Sequence, residues 1–379
     1  MFLCYDINES MQAKENIPLK DILLYHVAHH PSITPQDILK LCYQATFGAE
    51  HLLTDETRAR SFFQREWEAI SASDTALTEP LSSRYVRVHL GAWKHAGLPK
   101  EWLFRMFFMT ASIPSGSVQA DLLARLNTVD SLAKQGQFPF SYSCWKTACD
   151  QYLQCGGGAV HHSDAYRNAE HPAYRVVEKK YSDLIPLLIK LSSLQDYMKP
   201  INIAIDGRAA SGKSTLAKSL SYILDAGVIH MDDFFLPPEL RTAERLSRAG
   251  GNVHYERFAE QVLPHLKSNG SFDYPIFDCS KMQLDGVRTV PAGEWRIIEG
   301  SYSHHSHFSD YMDIRVFCTV SAEEQRQRIL LRNGEQMAQM FAQRWIPMEE
   351  TYFKSYQIRE NADIIMDTGS KEYGYETDL

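Results

Sequence analysis

The 379-residue chain has no apolar run long enough to span a bilayer; the stretch LIPLLIKLSSL is too short and carries a lysine. Its opening, MFLCYDINESMQAKEN, lacks the basic and apolar regions of a secretory signal. Positive charge is also short: the formal net charge is -8, which speaks against general nucleic-acid binding and leaves room only for a local basic pocket. Cysteine is sparse and unpaired in pattern. Seven residues with no C-x-x-C spacing exclude a disulfide framework and point to reduced thiols. The densest group, Cys144, Cys149 and Cys155, has poor zinc-ligand spacing and is expected to consist of buried small residues. Convincing repeats and low-complexity tails are absent too. These absences predict a cytoplasmic protein with neither membrane nor nucleic acid as a partner; oligomeric state is not legible.

The composition that remains, 44% hydrophobic and 23% charged, is that of a globular chain, and the length favours two domains. The pattern changes near residue 195. Residues 1–195 read as a mainly helical domain. In SITPQDILKLCYQATFGAEHLL, Thr34 is a candidate N-cap, Pro35 fits the first helical position and Asp37 fits a capping acid. Ile38, Leu41, Cys42 and Ala45 then share one helical face. KEWLFRMFFMTASI and YSDLIPLLIKLSSL read as further helices, Pro186 kinking the second or marking its start. Residues 198–379 alternate instead: INIAID, GVIHMDD, WRIIEG, DIRVFCTV and ADIIMDT as apolar strands, TLAKSLSYIL and SAEEQRQRILLRN as helices. That order predicts an α/β domain with a parallel sheet covered by helices on both faces.

Between the first strand and its helix lies IAIDGRAASGKSTLA. Gly207, four residues, then Gly212-Lys213-Ser214 meet the phosphate-loop pattern in the strand–helix context it requires. Backbone N–H groups from Gly207 through Ala210, Ser211, Gly212, Lys213, Ser214 and Thr215 are expected to face phosphate oxygens, helped by the positive end of the helix. Lys213 is expected to reach the β- and γ-phosphates, and the Ser214 hydroxyl to ligate Mg²⁺. A nucleoside triphosphate is the expected occupant.

The destination of the phosphate is read from neighbouring segments. H-R-D and D-F-G are missing, as are N-K-x-D and L-S-G-G-Q, so protein kinases, common GTPases and transporter ATPases fit poorly. VIHMDDFFLP places Asp232 and Asp233 at the end of the second strand, on the side where nucleotides bind in such sheets. A carboxylate there can take the proton of an incoming hydroxyl, and its neighbour can help hold Mg²⁺ through water. Turn capping is the plain alternative. RIIEG sets Glu299 beside the loop as a further metal partner, with Gly300 allowing close backbone passage. Arg326, Arg328, Arg332 and Arg344 follow on a long helix; Arg328 and Arg332, four apart on one face, are the stronger candidates for a phosphoryl clamp. The others fit a solvated face.

AIDGRAASGKSTLA, HMDDFF, IIEGSY, RQRILLRN and ADIIMDT, in this order, resemble the uridine kinase-like family of P-loop small-molecule kinases, whose relatives include phosphoribulokinase and pantothenate kinase. The resemblance covers the C-terminal half. It implies a nucleoside-monophosphate-kinase-like fold with a lid, Mg-ATP as donor, and Asp232 as the base. Two departures concern the acceptor. The family's Asn-Phe-Asp-His-Pro segment corresponds to GGNVHYERF, without an aspartate. Its Tyr-Asp-Phe segment with a later histidine corresponds to YPIFDCSKMQ, which keeps Asp278 but no histidine. Uridine is therefore not the expected acceptor. Tyr255, Glu256, Tyr274, Asp278, Tyr302 and His304 are candidate lining for a nucleoside-, sugar- or vitamin-like alcohol, though aromatic residues are as often core. The alternative is a nucleotide-controlled switch acting on the N-terminal half.

That half lies outside the resemblance. CGGGAVHHSDAYRNAEHPAYRVVEKKY gathers His161, His162, Tyr166, Arg167, Tyr174 and Arg175, a candidate anion or sugar-phosphate pocket. Adjacent histidines point apart, so a metal shared by His161 and His162 is not expected. Gln44, Glu50, His51, Arg87 and His89 add polar groups. These side chains fit equally a helical core in which they satisfy one another.

Overall fold

The computed structural model describes residues 17–49, 55–194, 199–308 and 310–369. The chain divides into two compact units, Met1–Ser192 and Ser193–Leu379. No helix among the described residues is long and apolar enough to cross a membrane.

The first unit is mainly helical. Its helix Pro35–Phe47 begins as its sequence dictates: Pro35 needs no N–H partner, and the Asp37 carboxylate accepts the Thr34 N–H at 3.0 Å and hydroxyl at 2.7 Å. Lys100–Ser112 and Ile185–Ser192 are also helical, and Pro186 stands at the second position of the latter, marking its start. An antiparallel sheet not anticipated from the sequence joins them. It comprises β1 (Thr78–Pro80), β2 (Tyr85–His89) and β3 (Tyr174–Glu178), in the order β1-β2-β3. Four of the five residues in each of β2 and β3 are buried, so the alternation that betrays a half-buried strand never develops. Of the cysteine group, only Cys149 is buried; Cys144 and Cys155 are exposed, correcting the expectation.

The second unit holds a five-stranded parallel sheet. Its strands are β4 (Ile201–Gly207), β5 (Gly227–His230), β8 (Trp295–Glu299), β9 (Ile314–Thr319) and β10 (Ile364–Asp367). The spatial order is β10-β9-β4-β8-β5. Between β5 and β8 a hairpin intervenes, β6 (Phe272–Asp278) with β7 (Gln283–Val290). Every residue of β4 and β8 is buried, the mark of strands covered on both faces. Ile203, Ile205, Ile297, Ile298 and Val316 are wholly inaccessible, each side chain contributing about 1.5–3 kcal/mol of burial. Strand order reverses at β4, whose neighbours β8 and β9 follow it by long connections, so a crevice opens at its carboxyl end.

Candidate active site

Gly207 ends β4 with φ of 140°, and a Cβ there would lie 2.0 Å from the Cys318 carbonyl oxygen, so no other residue fits. The loop then curls into the helix Lys213–Leu224. Among the described residues no acceptor serves the N–H groups of Ala210, Gly212, Lys213, Ser214 or Thr215. These five donors at a helix start form an anion cradle. The Lys213 ammonium folds back onto the Gly207 and Arg208 carbonyls at 2.8 and 2.9 Å. The Ser214 hydroxyl donates to Glu299 at 3.2 Å.

Parallel register brings Glu299 opposite both Ile205 and His230. Its carboxylate is buried, bound on one oxygen by Ser214 and on the other by His230 Nδ1 at 2.5 Å. Gly300 follows with φ of 129°, and a Cβ there would press on Met231 at 2.8 Å, so this glycine does permit close passage of the chain beside Asp232. The Asp232 side chain is reached by solvent and makes no hydrogen bond among the described residues. The protein atoms packed around it and then the Glu299 carboxylate raise its pKa, against Lys213 and His230. Hard oxygens from Ser214 and Glu299, set beside an anion cradle, fit Mg²⁺ better than a softer ion.

Asp233 corrects an expectation. It is buried, accepting Arg288 Nε at 2.7 Å and the Tyr274 hydroxyl at 2.9 Å, while its carbonyl receives Arg257. Oδ2 takes both bonds and Oδ1 faces Arg288 Nη2 at 3.4 Å, so its charge is paired with the β6–β7 hairpin rather than offered to a cation. Tyr274 is wholly buried in the same contact and lines nothing. His304 is likewise buried, with Nε2 on the Ala204 carbonyl at 3.1 Å. It borders a separate hollow of about 360 Å³ that contains no loop residue. Arg328 is no clamp either. Its guanidinium is consumed by Glu324, the Ala210 carbonyl and Thr368, so it braces the loop from behind. Arg332 is exposed and bonded to Asn333; Arg326 pairs with Glu323, and Arg344 is exposed over Trp345.

Glu256 holds Arg245, which also lies over the Tyr255 ring at 3.7 Å. Asp278 caps its own turn through Ser280, yet with Arg241 and Asp232 it sits within electrostatic reach of Cys279. The Tyr302 phenol is buried against Asn252, and the charge of Asp232 reaches it. Three residues escaped the sequence reading. Asp206, wholly buried, receives the N–H groups of Gly207, Tyr302 and His304 and the Tyr352 hydroxyl. Glu349 accepts the Ala209 N–H at 2.9 Å and the Ser301 hydroxyl at 2.7 Å, and burial raises its pKa. His230 was visible only as the neighbour of two aspartates. For Asp206 a faint signal existed, an acid ending an otherwise apolar strand.

In the first unit, His162, Tyr166 and Tyr174 do meet. His162 stacks on Tyr166 at 4.4 Å and bridges Asp37 and the Tyr174 hydroxyl at 2.8 and 2.7 Å. The expected anion pocket does not form around them. His161 is exposed, Arg167 is exposed beside Asp164, and Arg175 is committed to Glu66 and lies over Phe63 and Phe107. Gln44 and Arg87 join the network through each other, as mutually satisfied groups. Glu50 and His51 lie outside the described residues. Burial depresses the His162 pKa to about 4, so below pH 6.5 the unfolded chain binds a proton the folded one refuses. Unfolding free energy of this unit should therefore fall as pH drops from about 6.5 to about 4. Urea titrations across that range check it, and His162→Gln should flatten the slope.

No protein-family model matches the sequence, and no curated protein does. Among solved structures, the chain is similar to one described as a possible uridine kinase from Bacillus stearothermophilus, at 22% identity and a TM-score of 0.39 over 50% of this chain and 100% of that one. It is also similar to one described as a candidate fructose transport system kinase from Silicibacter sp. TM1040, at 23% identity and a TM-score of 0.37 over 45% of this chain and 92% of that one.

Proposed function

We propose that the second unit is an ATP-dependent small-molecule kinase, transferring the γ-phosphoryl group of Mg-ATP to a hydroxyl of a nucleoside-, sugar- or vitamin-like acceptor. The observation that carries this reading is Asp232, an unbonded and solvent-reached carboxylate two residues past His230, the register partner of Glu299. A residue that merely capped a turn would spend its oxygens on backbone N–H groups, as Asp278 does. The five unbonded N–H groups of the loop hold the triphosphate. Lys213 leaves its carbonyls to meet the β- and γ-oxygens, and Ser214 and Glu299 hold the magnesium. Bound there, the ion would neutralise charge on the phosphate oxygens. Asp232 accepts the proton of the acceptor hydroxyl. Asp278 and Tyr302, in the electrostatic neighbourhood of Asp232, are the candidates to face the acceptor.

ADP release from Mg-ATP, measured across nucleosides, pentoses, hexoses and hydroxyl-bearing vitamin precursors, tests the reading. Release that depends on one acceptor class and vanishes in Lys213→Ala supports it. Release independent of every acceptor in the panel would overturn it.

A further inference from the structure

His26 and His30 are spaced i, i+4 at the end of the helix Leu19–His29, so their rings leave on one side. The intervening His29 turns to the Tyr25 carbonyl instead. The β1–β2 hairpin sets Glu79 against that side, pairing it with Arg87 in register. One ligand atom from each of His26, His30 and Glu79 lies within 4.8 Å of the other two, the only such trio among the described residues. His26 Nδ1 is 3.3 Å from Glu79 Oε1, and His30 Nε2 contacts the same oxygen. Tetrahedral zinc with bonds of about 2.0–2.2 Å holds its ligand atoms about 3.3 Å apart, the spacing of His26 and Glu79, and His30 would draw back from Glu79 to admit it.

The outer nitrogen of His26 fixes which of its lone pairs faces inward. His26 Nε2 is 2.7 Å from the Pro80 carbonyl, which can only accept, so Nε2 carries the proton. The ring is wholly buried, and its Nδ1 has no hydrogen-bond partner. His30 Nδ1 is 3.3 Å from the Glu170 carboxylate, which again accepts. Arg87 takes the other Glu79 oxygen, Oε2, at 3.0 Å and the Gln44 side chain at 3.1 Å, leaving Oε1 to the histidines. Histidine ligands of metals are oriented in this way, the far N–H given to a carbonyl or carboxylate.

We propose that the first unit binds one divalent transition-metal ion of the zinc class between His26 Nδ1, His30 Nε2 and Glu79 Oε1. Pro80 and Glu170 orient the two rings. A two-nitrogen, one-oxygen set disfavours magnesium and calcium, so this site is chemically separate from the magnesium site proposed beside Ser214. Three protein ligands leave a coordination position for water or a substrate oxygen, the pattern of catalytic rather than structural zinc. His89, with Nε2 3.9 Å from Glu79 Oε2, stands at its border. The competing occupant is a proton on His30, held between Glu79 and Glu170.

The full-length chain, stripped with a chelator and freed of it, should be titrated with Zn²⁺ by calorimetry and with Co²⁺ as an optical probe. Doing both also in Glu299→Gln removes uptake through His230 and Glu299. We expect one Zn²⁺ per chain in either background, and a visible Co²⁺ spectrum of a low-coordinate site. His30→Gln and Glu79→Gln should each weaken Zn²⁺ at least 100-fold and abolish that spectrum. Should either fail to fold by circular dichroism, the outer residue serves instead: Glu170→Gln should weaken Zn²⁺ by about 10- to 100-fold. No uptake by the stripped chain overturns the proposal and leaves the proton as occupant. Uptake unchanged in the folded variants overturns it equally.

Discussion

Asp232→Asn is expected to lower turnover of Mg-ATP with its acceptor by about 10²- to 10⁴-fold, the usual worth of a positioned general base. Asparagine keeps the size and shape of the side chain but cannot take a proton. Asp232 makes no hydrogen bond whose loss would disturb its neighbours, and the loop contacts of Lys213, Ser214 and Glu299 do not include it. Mg-ATP affinity should therefore change by no more than a few-fold, which equilibrium binding with a non-hydrolysable analogue would measure. The pH profile supplies a second readout. Burial and the Glu299 charge raise the Asp232 pKa above the ordinary 3.8, and the carboxylate is the working form. kcat/KM should therefore climb with pH through a midpoint above that value, and this limb should vanish in Asp232→Asn. Turnover that survives in the asparagine variant, with its acid limb intact, would place the base elsewhere.

Asp206→Ala should severely destabilise the second unit. Four donors converge on this buried carboxylate: the N–H groups of Gly207 at 2.7 Å, Tyr302 at 3.2 Å and His304 at 3.0 Å, and the Tyr352 hydroxyl at 2.8 Å. They come from the end of β4, the segment after β8, and the helix Ile346–Tyr356. Alanine leaves all four without an acceptor in a dry interior. At about 1–3 kcal/mol for each orphaned group, a loss of at least about 3 kcal/mol is expected even after local relaxation. Tyr352→Phe removes one donor with its bond and should cost only about 1 kcal/mol. Urea unfolding of both variants decides the matter. Equal costs would mean that the carboxylate is no anchor.

The parallel sheet and the phosphate loop were legible because their physics is local. Apolar runs bounded by Gly207 and Gly300, and a fixed glycine spacing before a helix, leave few alternatives. The aspartate pair was legible only as a pair. HMDDFF cannot say which carboxylate is tied inward; the bond from Arg288 to Asp233, across 55 residues of chain, supplies that. Arg328 misleads for a similar reason. Its spacing from Arg332 is real, but its partner Thr368 lies 40 residues onward and turns a free cation into a brace. In the first unit, β2 and β3 are too short and too evenly buried to show a period. The meeting of His26 and His30 with Glu79 likewise depends on a hairpin that no local pattern announces.

The order of strands also bears on when the loop can exist. β4 is made before its partners, yet its two sheet neighbours are β8 and β9, which leave the ribosome about ninety or more residues later. The loop waits longer still. Ser211 accepts the hydroxyl of Thr368, and Ala210 is held by Arg328, itself bound to Thr368, beyond the last strand. Contacts so distant in sequence slow folding, because the chain loses loop entropy before it gains them. During synthesis the nucleotide cradle is thus the first motif of its unit to emerge and among the last to close. A ligand that fits only the closed cradle would therefore favour the finished molecule over any earlier stage.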